Sequence, residues 1–310
     1  MDSVLEIRNL TKSFGSKKVI DNLSFSTQKG EVFGFLGPNG AGKTTTIKMI
    51  TGLLETDAGE ITIDGHNVRT DFERAMENVG AIVENPEMYT YMSGRKNLEQ
   101  YARMRKGVTK ERIDEVVRMV GLENRIGDKV KKYSLGMKQR LGVAQAIMHR
   151  PKLLILDEPT NGLDPAGIKE LRDILKSLAH EEGASVLVSS HLLSEMQQMC
   201  DRVAIIGEGA LISVRSVKEL TEQSGGEQAR YRIQVRGNAA AAASALSGFE
   251  TVQTEESALE VALPSGTGVD AAVAKLVYAQ IGVLGVSAVE KSLEDIFIEI
   301  TSSGGGRQID

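Results

Sequence analysis

The stretch that most constrains this chain is Gly37-Pro38-Asn39-Gly40-Ala41-Gly42-Lys43-Thr44, with Thr45 directly behind it. Before it runs Val32-Phe33-Gly34-Phe35-Leu36, short and apolar as a buried strand should be. After it, Ile47, Ile50, Leu53 and Leu54 recur at helical spacing. Glycines at these positions let backbone N–H groups converge on phosphate oxygens without a Cβ in the way, and a helix N-terminus adds partial positive charge at the same point. In such a setting Lys43 is expected to reach the β- and γ-phosphates, and the Thr44 hydroxyl to ligate Mg²⁺. The loop therefore predicts an α/β fold with a nucleotide at the end of a strand.

The chain has 310 residues, enough for one large domain and a smaller one. A net charge of −5 offers no general attraction to nucleic acid. The single cysteine, Cys200, has no internal partner and follows Met196 in an apolar context, so it reads as a small core residue suited to a reducing cytoplasm. No apolar run approaches the roughly 18 residues needed to cross a bilayer, and Met1 to Leu10 lacks a signal-peptide pattern.

In chain order, Leu5-Glu6-Ile7 and Lys18-Val19-Ile20 read as strands joined by a turn-rich piece carrying Phe14. An aromatic there could stack on adenine or plug the core, and spacing does not choose. Gly59 to Gly65 predicts a further strand, making the N-terminal sheet partly antiparallel. From Arg69 to Val130 the pattern is mostly helical, an inserted arm entered through the strand-like Val79 to Val83 and Glu84-Asn85-Pro86. The arm ends at Tyr133-Ser134-Leu135-Gly136-Met137-Lys138-Gln139-Arg140, where Ser134 can cap a helix running to Pro151. Leu153 to Leu156 is a fully apolar strand ending on Asp157 and Glu158. Ligands of parallel α/β sheets bind beyond the carboxyl ends of strands, so these acids should face the phosphate loop. Asp157 would then hold Mg²⁺ with Thr44, and Glu158 could polarise the attacking water. Ser185 to Ser190 repeats the arrangement and delivers His191. The remaining histidines, His66, His149 and His180, read as surface residues. Val203 to Ile206 and Leu211-Ile212 predict a closing hairpin.

With these motifs in place, the chain from Val4 to Glu219 closely resembles the ATP-binding subunit of an ABC transporter. The resemblance implies a P-loop fold of mixed sheet plus helical subdomain, with Phe14 as adenine contact, Glu158 and His191 as catalytic residues and His191 sensing the γ-phosphate. It implies Mg²⁺ held by Thr44, Asp157 and Glu84. It also implies that Ser134, Gly136 and Asp164, the last within Asn161-Gly162-Leu163-Asp164, act across a dimer that sandwiches two ATP molecules. Two positions depart from the usual pattern: Glu84 stands for a glutamine, and Tyr133 to Met137 stands for Leu-Ser-Gly-Gly-Gln. Both variants are similar to those of bacitracin-resistance and lantibiotic-immunity exporters. A carboxylate at 84 attracts Mg²⁺ but repels phosphate, each on the order of 4 kcal/mol at 4 Å and an effective dielectric of about 20, so charge arithmetic alone does not choose. Ser134 and Gly136 keep a hydroxyl and free amides at a helix start.

The expected organisation is an ATP-binding domain over 1–220 with a helical subdomain at about 85–150, a polar linker over 221–228, a small α+β domain over 229–302 and a tail over 303–310. The small domain reads β-α-β-β-α-β, with a last helix from Leu293 to Ile300, which suggests a ferredoxin-like split fold. The expected role is an ATPase on the cytoplasmic membrane face, driving a separate permease that exports a peptide antibiotic or other amphiphile. A soluble ABC-type ATPase or an ATP-sensing module is the competing reading. A second cassette or a long heptad coiled coil, which translation and repair ATPases of this type carry, is not found.

Overall fold

A computed structural model describes residues 3–222, 229–264 and 267–289. The predicted helix Leu293 to Ile300, the tail and residues 223–228 of the expected linker lie outside the described residues. The chain divides into two compact units after Val217.

The first unit opens with two long strands, β1 (Ser3–Phe14) and β2 (Lys17–Gln28), each longer than the apolar triplets that announced them. There follow β3 (Val32–Leu36), α1 (Lys43–Ile50), β4 (Ala58–Ile63), β5 (His66–Asn67), α2 (Phe72–Glu77) and β6 (Val79–Ile82). Next come α3 (Gly94–Ala102), α4 (Lys110–Met119), α5 (Leu135–Ile147), β7 (Leu153–Leu156), α6 (Pro165–His180), β8 (Ser185–Ser190), α7 (Leu193–Met199), and the hairpin β9 (Arg202–Gly207) and β10 (Ala210–Ser216). One sheet is antiparallel, in the order β2-β1-β4-β5. The other runs β10-β9-β3-β8-β7-β6, parallel except for β10.

Every residue of β3, β7 and β8 is buried, which is why these strands read as apolar runs rather than alternations. Phe25 of the antiparallel sheet stacks on Phe33 of β3 with centroids 5.5 Å apart, and lies 5.2 Å from Phe35, joining the two sheets through one core. The parallel strands thus present their carboxyl ends along one edge.

The arm between Arg69 and Val130 is less helical than its pattern suggests. Residues 83–93 form no helix, and α3 starts only where Ser93 accepts a hydrogen bond from Lys96 N. α1 also stops at Ile50, short of Leu53 and Leu54, because Gly52 takes a left-handed conformation (φ 70°) that ends the helix. Leu53 is left 67% exposed. In α4 the buried stripe of Ile113, Val116 and Val117 is joined by Arg112, which donates to Met148 O (3.2 Å) and Ile147 O (2.9 Å) at the end of α5. Arg112→Ala, which takes a charged donor from Met148 O and leaves Ile147 O with its bond from Arg150 N (3.0 Å), is expected to lower unfolding free energy by about 2 kcal/mol, read by chemical denaturation. His149 is half-buried rather than a surface residue: its Nε2 lies 2.9 Å from Val79 O, and burial pushes its pKa down.

A short helix, α8 (Val217–Glu222), occupies the first two positions of the expected linker. The second unit then contains β11 (Ala229–Val235), α9 (Ala239–Ala245), β12 (Glu250–Glu255), β13 (Ala258–Leu263), α10 (Val269–Tyr278) and β14 (Val283–Val289). Its sheet is antiparallel throughout, ordered β12-β13-β11-β14, the arrangement of a split βαβ fold. The alanine run is helical, capped by Asn238 through Ala240 N, and packs Ala239, Ala242 and Leu246 onto Ile233, Leu259 and Val261. Among the described residues no helix is long and apolar enough to cross a membrane.

Candidate functional site

The loop after β3 is shaped by what its glycines avoid. A Cβ at Gly37 would lie 2.7 Å from both Cγ1 and the carbonyl oxygen of Ile206, and one at Gly42 would lie 2.3 Å from Ile20 Cδ1. Gly42 also holds φ 100° as the residue before α1, with no side chain covering the helix start. Pro38, Asn39 and Gly40 form the exposed tip, and Ala41 and Gly42 are buried beneath it. Thr45 is half-buried on the first turn.

Lys43 is 6% exposed, with three acceptors around its ammonium: Gly37 O at 2.8 Å, Pro38 O at 3.3 Å and Glu158 Oε1 at 3.1 Å. Thr44 Oγ1 donates to Asp157 Oδ2 at 2.9 Å. Asp157 is 3% exposed, and its other oxygen accepts from Ser189 Oγ at 2.6 Å. That same serine oxygen accepts from Glu158 N at 2.9 Å. Glu158, in a left-handed conformation (φ 46°), places its Oε2 2.9 Å from His191 Nδ1. Strand ends 32 and 113 residues apart from their partners thus meet in one hydrogen-bonded group of Lys43, Thr44, Asp157, Glu158, Ser189 and His191.

Ser189 is the member that sequence reasoning missed. The available signal was a pair of serines closing an otherwise apolar buried strand just before His191. Ser190 joins a second network, in which Glu195 Oε2 accepts from Thr160 Oγ1 (2.6 Å) and Ser190 Oγ (3.1 Å) and so ties the segments after β7 and β8. Hard oxygen donors converge at Thr44 and Asp157, a donor type that suits Mg²⁺. Among the described residues no three His, Cys, Asp or Glu side chains form a self-contained metal cluster, so a cation here would draw further ligands from phosphate and water, as Mg²⁺ does.

The other candidates stand apart from this group. Phe14 ends β1 and is 51% exposed, which removes the core-plug alternative; Lys12 Nζ lies 5.7 Å from its ring centroid. Asp57 fixes that strand end by accepting from Lys12 Nζ (2.8 Å) and Ser13 N (2.7 Å). Glu84 pairs with Lys48 at 2.8 Å rather than with Thr44 or Asp157, and the Lys48 hydrogen bond holds its carboxyl below the usual range. Ser134 caps α5 by accepting from Met137 N, and Asp164 caps α6 by accepting from Gly167 N. Both are exposed, and Leu135 beside Ser134 reaches Gly162 beside Asp164, so the two turns share one surface. Cys200 is buried against Met196, and burial pushes its thiol pKa up.

Comparison with known proteins adds the following. The family described as "ABC transporter" matches residues 20–161, and "ATP-binding protein DrrA1-3-like, C-terminal domain" matches residues 216–301. The chain is 52% identical over 301 residues, 97% of either chain, to "Uncharacterized ABC transporter ATP-binding protein YhcH" of Bacillus subtilis (strain 168). It is 47% identical over 212 residues, 68% of this chain and 69% of the relative, to "Bacitracin transport ATP-binding protein BcrA" of Bacillus licheniformis. A solved "ATP binding subunit of ABC transporter" superposes with a TM-score of 0.63 at 30% identity, covering 72% of this chain and 93% of that one.

Proposed function

This chain belongs to the ABC transporter family as an ATP-binding, ATP-hydrolysing subunit, and from that premise we propose that it powers export of a peptide antibiotic or another amphiphile through a separate membrane permease. ATP-binding subunits of this family work as dimers with permease subunits; here the dimer is a homodimer held at the cytoplasmic face of the membrane by its permease. The bacitracin transport of one relative supports the substrate class.

The observation that carries the reading is Glu158 held between Lys43 Nζ and His191 Nδ1. Incoming phosphates draw Lys43 from the two loop carbonyls and from Glu158, and the lysine then holds the β- and γ-phosphates as a point charge. The freed Glu158 oxygen accepts a proton from water as that water attacks the γ-phosphorus and the bond to the β–γ bridging oxygen breaks to release ADP, while His191 keeps the carboxylate oriented and reads the γ-phosphate. Backbone N–H groups within 39–45 hold the phosphates, and Phe14 stacks on adenine. Thr44 and Asp157 would hold Mg²⁺, and bound there the ion offsets phosphate charge; the Glu84 carboxylate is engaged by Lys48 instead. Ser134 and Asp164, exposed on one surface, and the half-buried Gly136 complete the partner subunit's site.

Ser189 fixes the Asp157 carboxylate and the backbone of Glu158. Ser189→Ala is expected to cut turnover about 10- to 100-fold with ATP affinity within about threefold of wild type, the usual cost of removing a ligand's supporting hydrogen bond. Equal losses in turnover and affinity would place the serine in nucleotide binding instead.

The transport reading is tested by tagging the chain in its own cell, solubilising membranes in mild detergent and identifying what co-purifies. A polytopic membrane protein at fixed stoichiometry is expected, together with raised sensitivity to a peptide antibiotic when the chain is deleted. Recovery only from the soluble fraction, with unchanged sensitivity, would leave a soluble ATPase or sensor.

A further inference from the structure

Two neighbouring strands of the parallel sheet end alike. Ile82 of β6 is paired with Leu156 of β7, and two residues beyond each stand Glu84 and Glu158. Both glutamates hold left-handed backbone, φ 65° and 46°, a conformation uncommon for side chains of this kind and concentrated at functional sites. The helix after the phosphate loop supplies a lysine to each: Lys43 lies 3.1 Å from Glu158 and Lys48 lies 2.8 Å from Glu84. Lys48 is four residues beyond Thr44, one turn along the same helix face. The Lys48 and Glu84 side chains are 39% and 63% exposed, and an ion pair so open to water contributes little to folding. Its position beside the nucleotide loop matters more than its strength.

We infer that Lys48 is a positioning residue for the nucleotide site: it holds the Glu84 carboxylate and cancels its charge beside the bound phosphates, which is what lets a glutamate stand at this strand end. The inference rests on the nucleotide-binding role proposed above for 37–45. Without Lys48, Glu84 becomes a free negative charge at the rim of a polyphosphate site. In the Glu84→Gln variant there is nothing for Lys48 to cancel. The effect of losing the lysine should therefore depend on which residue occupies position 84.

The test is ATP affinity by titration calorimetry in EDTA, so that the carboxylate and phosphates are read without metal, for wild type, Lys48→Met, Glu84→Gln and the double variant, with Lys43→Ala as control. Lys48→Met is expected to weaken ATP on the order of tenfold when Glu84 is present and no more than about twofold in the Glu84→Gln background. Equal factors in both backgrounds would show that Lys48 acts on phosphate by itself, and an unchanged affinity in the native background would show a surface pair of no consequence; either result overturns the inference. ATP binding undiminished in Lys43→Ala would instead overturn the reading of the loop underneath it. Melting temperatures of all five proteins, expected within a few degrees of one another, separate these outcomes from misfolding.

Discussion

Glu158→Gln is expected to lower ATP turnover by ~10²- to 10⁴-fold while ATP binding is kept. The substitution preserves the length of the side chain and leaves the backbone bond from residue 158 N to Ser189 Oγ in place. It removes the one carboxylate oxygen that Lys43 releases when phosphates arrive, and a neutral amide cannot take the proton of the attacking water. Because the lysine no longer has an ionic partner in the empty site, ATP affinity is expected to stay level or rise. Single-turnover phosphate release, read beside equilibrium ATP binding, separates the two effects. Turnover close to wild type would remove Glu158 from the role of general base and direct attention to His191.

The phosphate loop, the acids after β7 and the histidine after β8 were legible because each rests on a local constraint: glycines where a Cβ has no room, and fully apolar strands that end abruptly on polar residues. The start of α5 was legible for the same reason, since Ser134 is its cap. What joins these parts was not. Ser189 reads as one more residue of a strand, and only the parallel pairing of β7 with β8 turns its hydroxyl toward Asp157, 32 positions away. The Lys48–Glu84 pair spans 36 positions and needs α1 to lie over the end of β6. Phe14 was undecided on spacing because exposure, not spacing, separates a stacking platform from a plug. In the second unit the order of the described elements was legible down to the alanine helix, whose apolar spacing outweighed its low complexity. Its sheet order follows from closing β-α-β-β-α-β into one antiparallel layer.

Lys43→Ala carries the other large expected effect: ATP binding weakened by ~10²-fold or more, the scale of losing one partner from a desolvated charge pair. In the empty site the ammonium is almost fully buried and already satisfied by Gly37 O, Pro38 O and Glu158 Oε1. Phosphate must therefore replace these acceptors, and it can do so because its charge exceeds that of two carbonyls and one carboxylate shared with His191. An alanine leaves no buried cation on the loop itself, only its amides, facing a polyanion with Asp157 and Glu158 close by. Lys43→Arg is not expected to rescue, since a planar guanidinium is wider than the compact ammonium that fits between the loop carbonyls. The measurement is the thermal shift on adding ATP. At a hundredfold excess over its Kd, ATP stabilises a binding protein by about 2.7 kcal/mol, and at that concentration the alanine variant should retain no more than about 0.4 kcal/mol, a small fraction of the shift. An equal shift in both proteins would mean that the phosphates sit elsewhere, and the assignment of the whole loop would fall with Lys43.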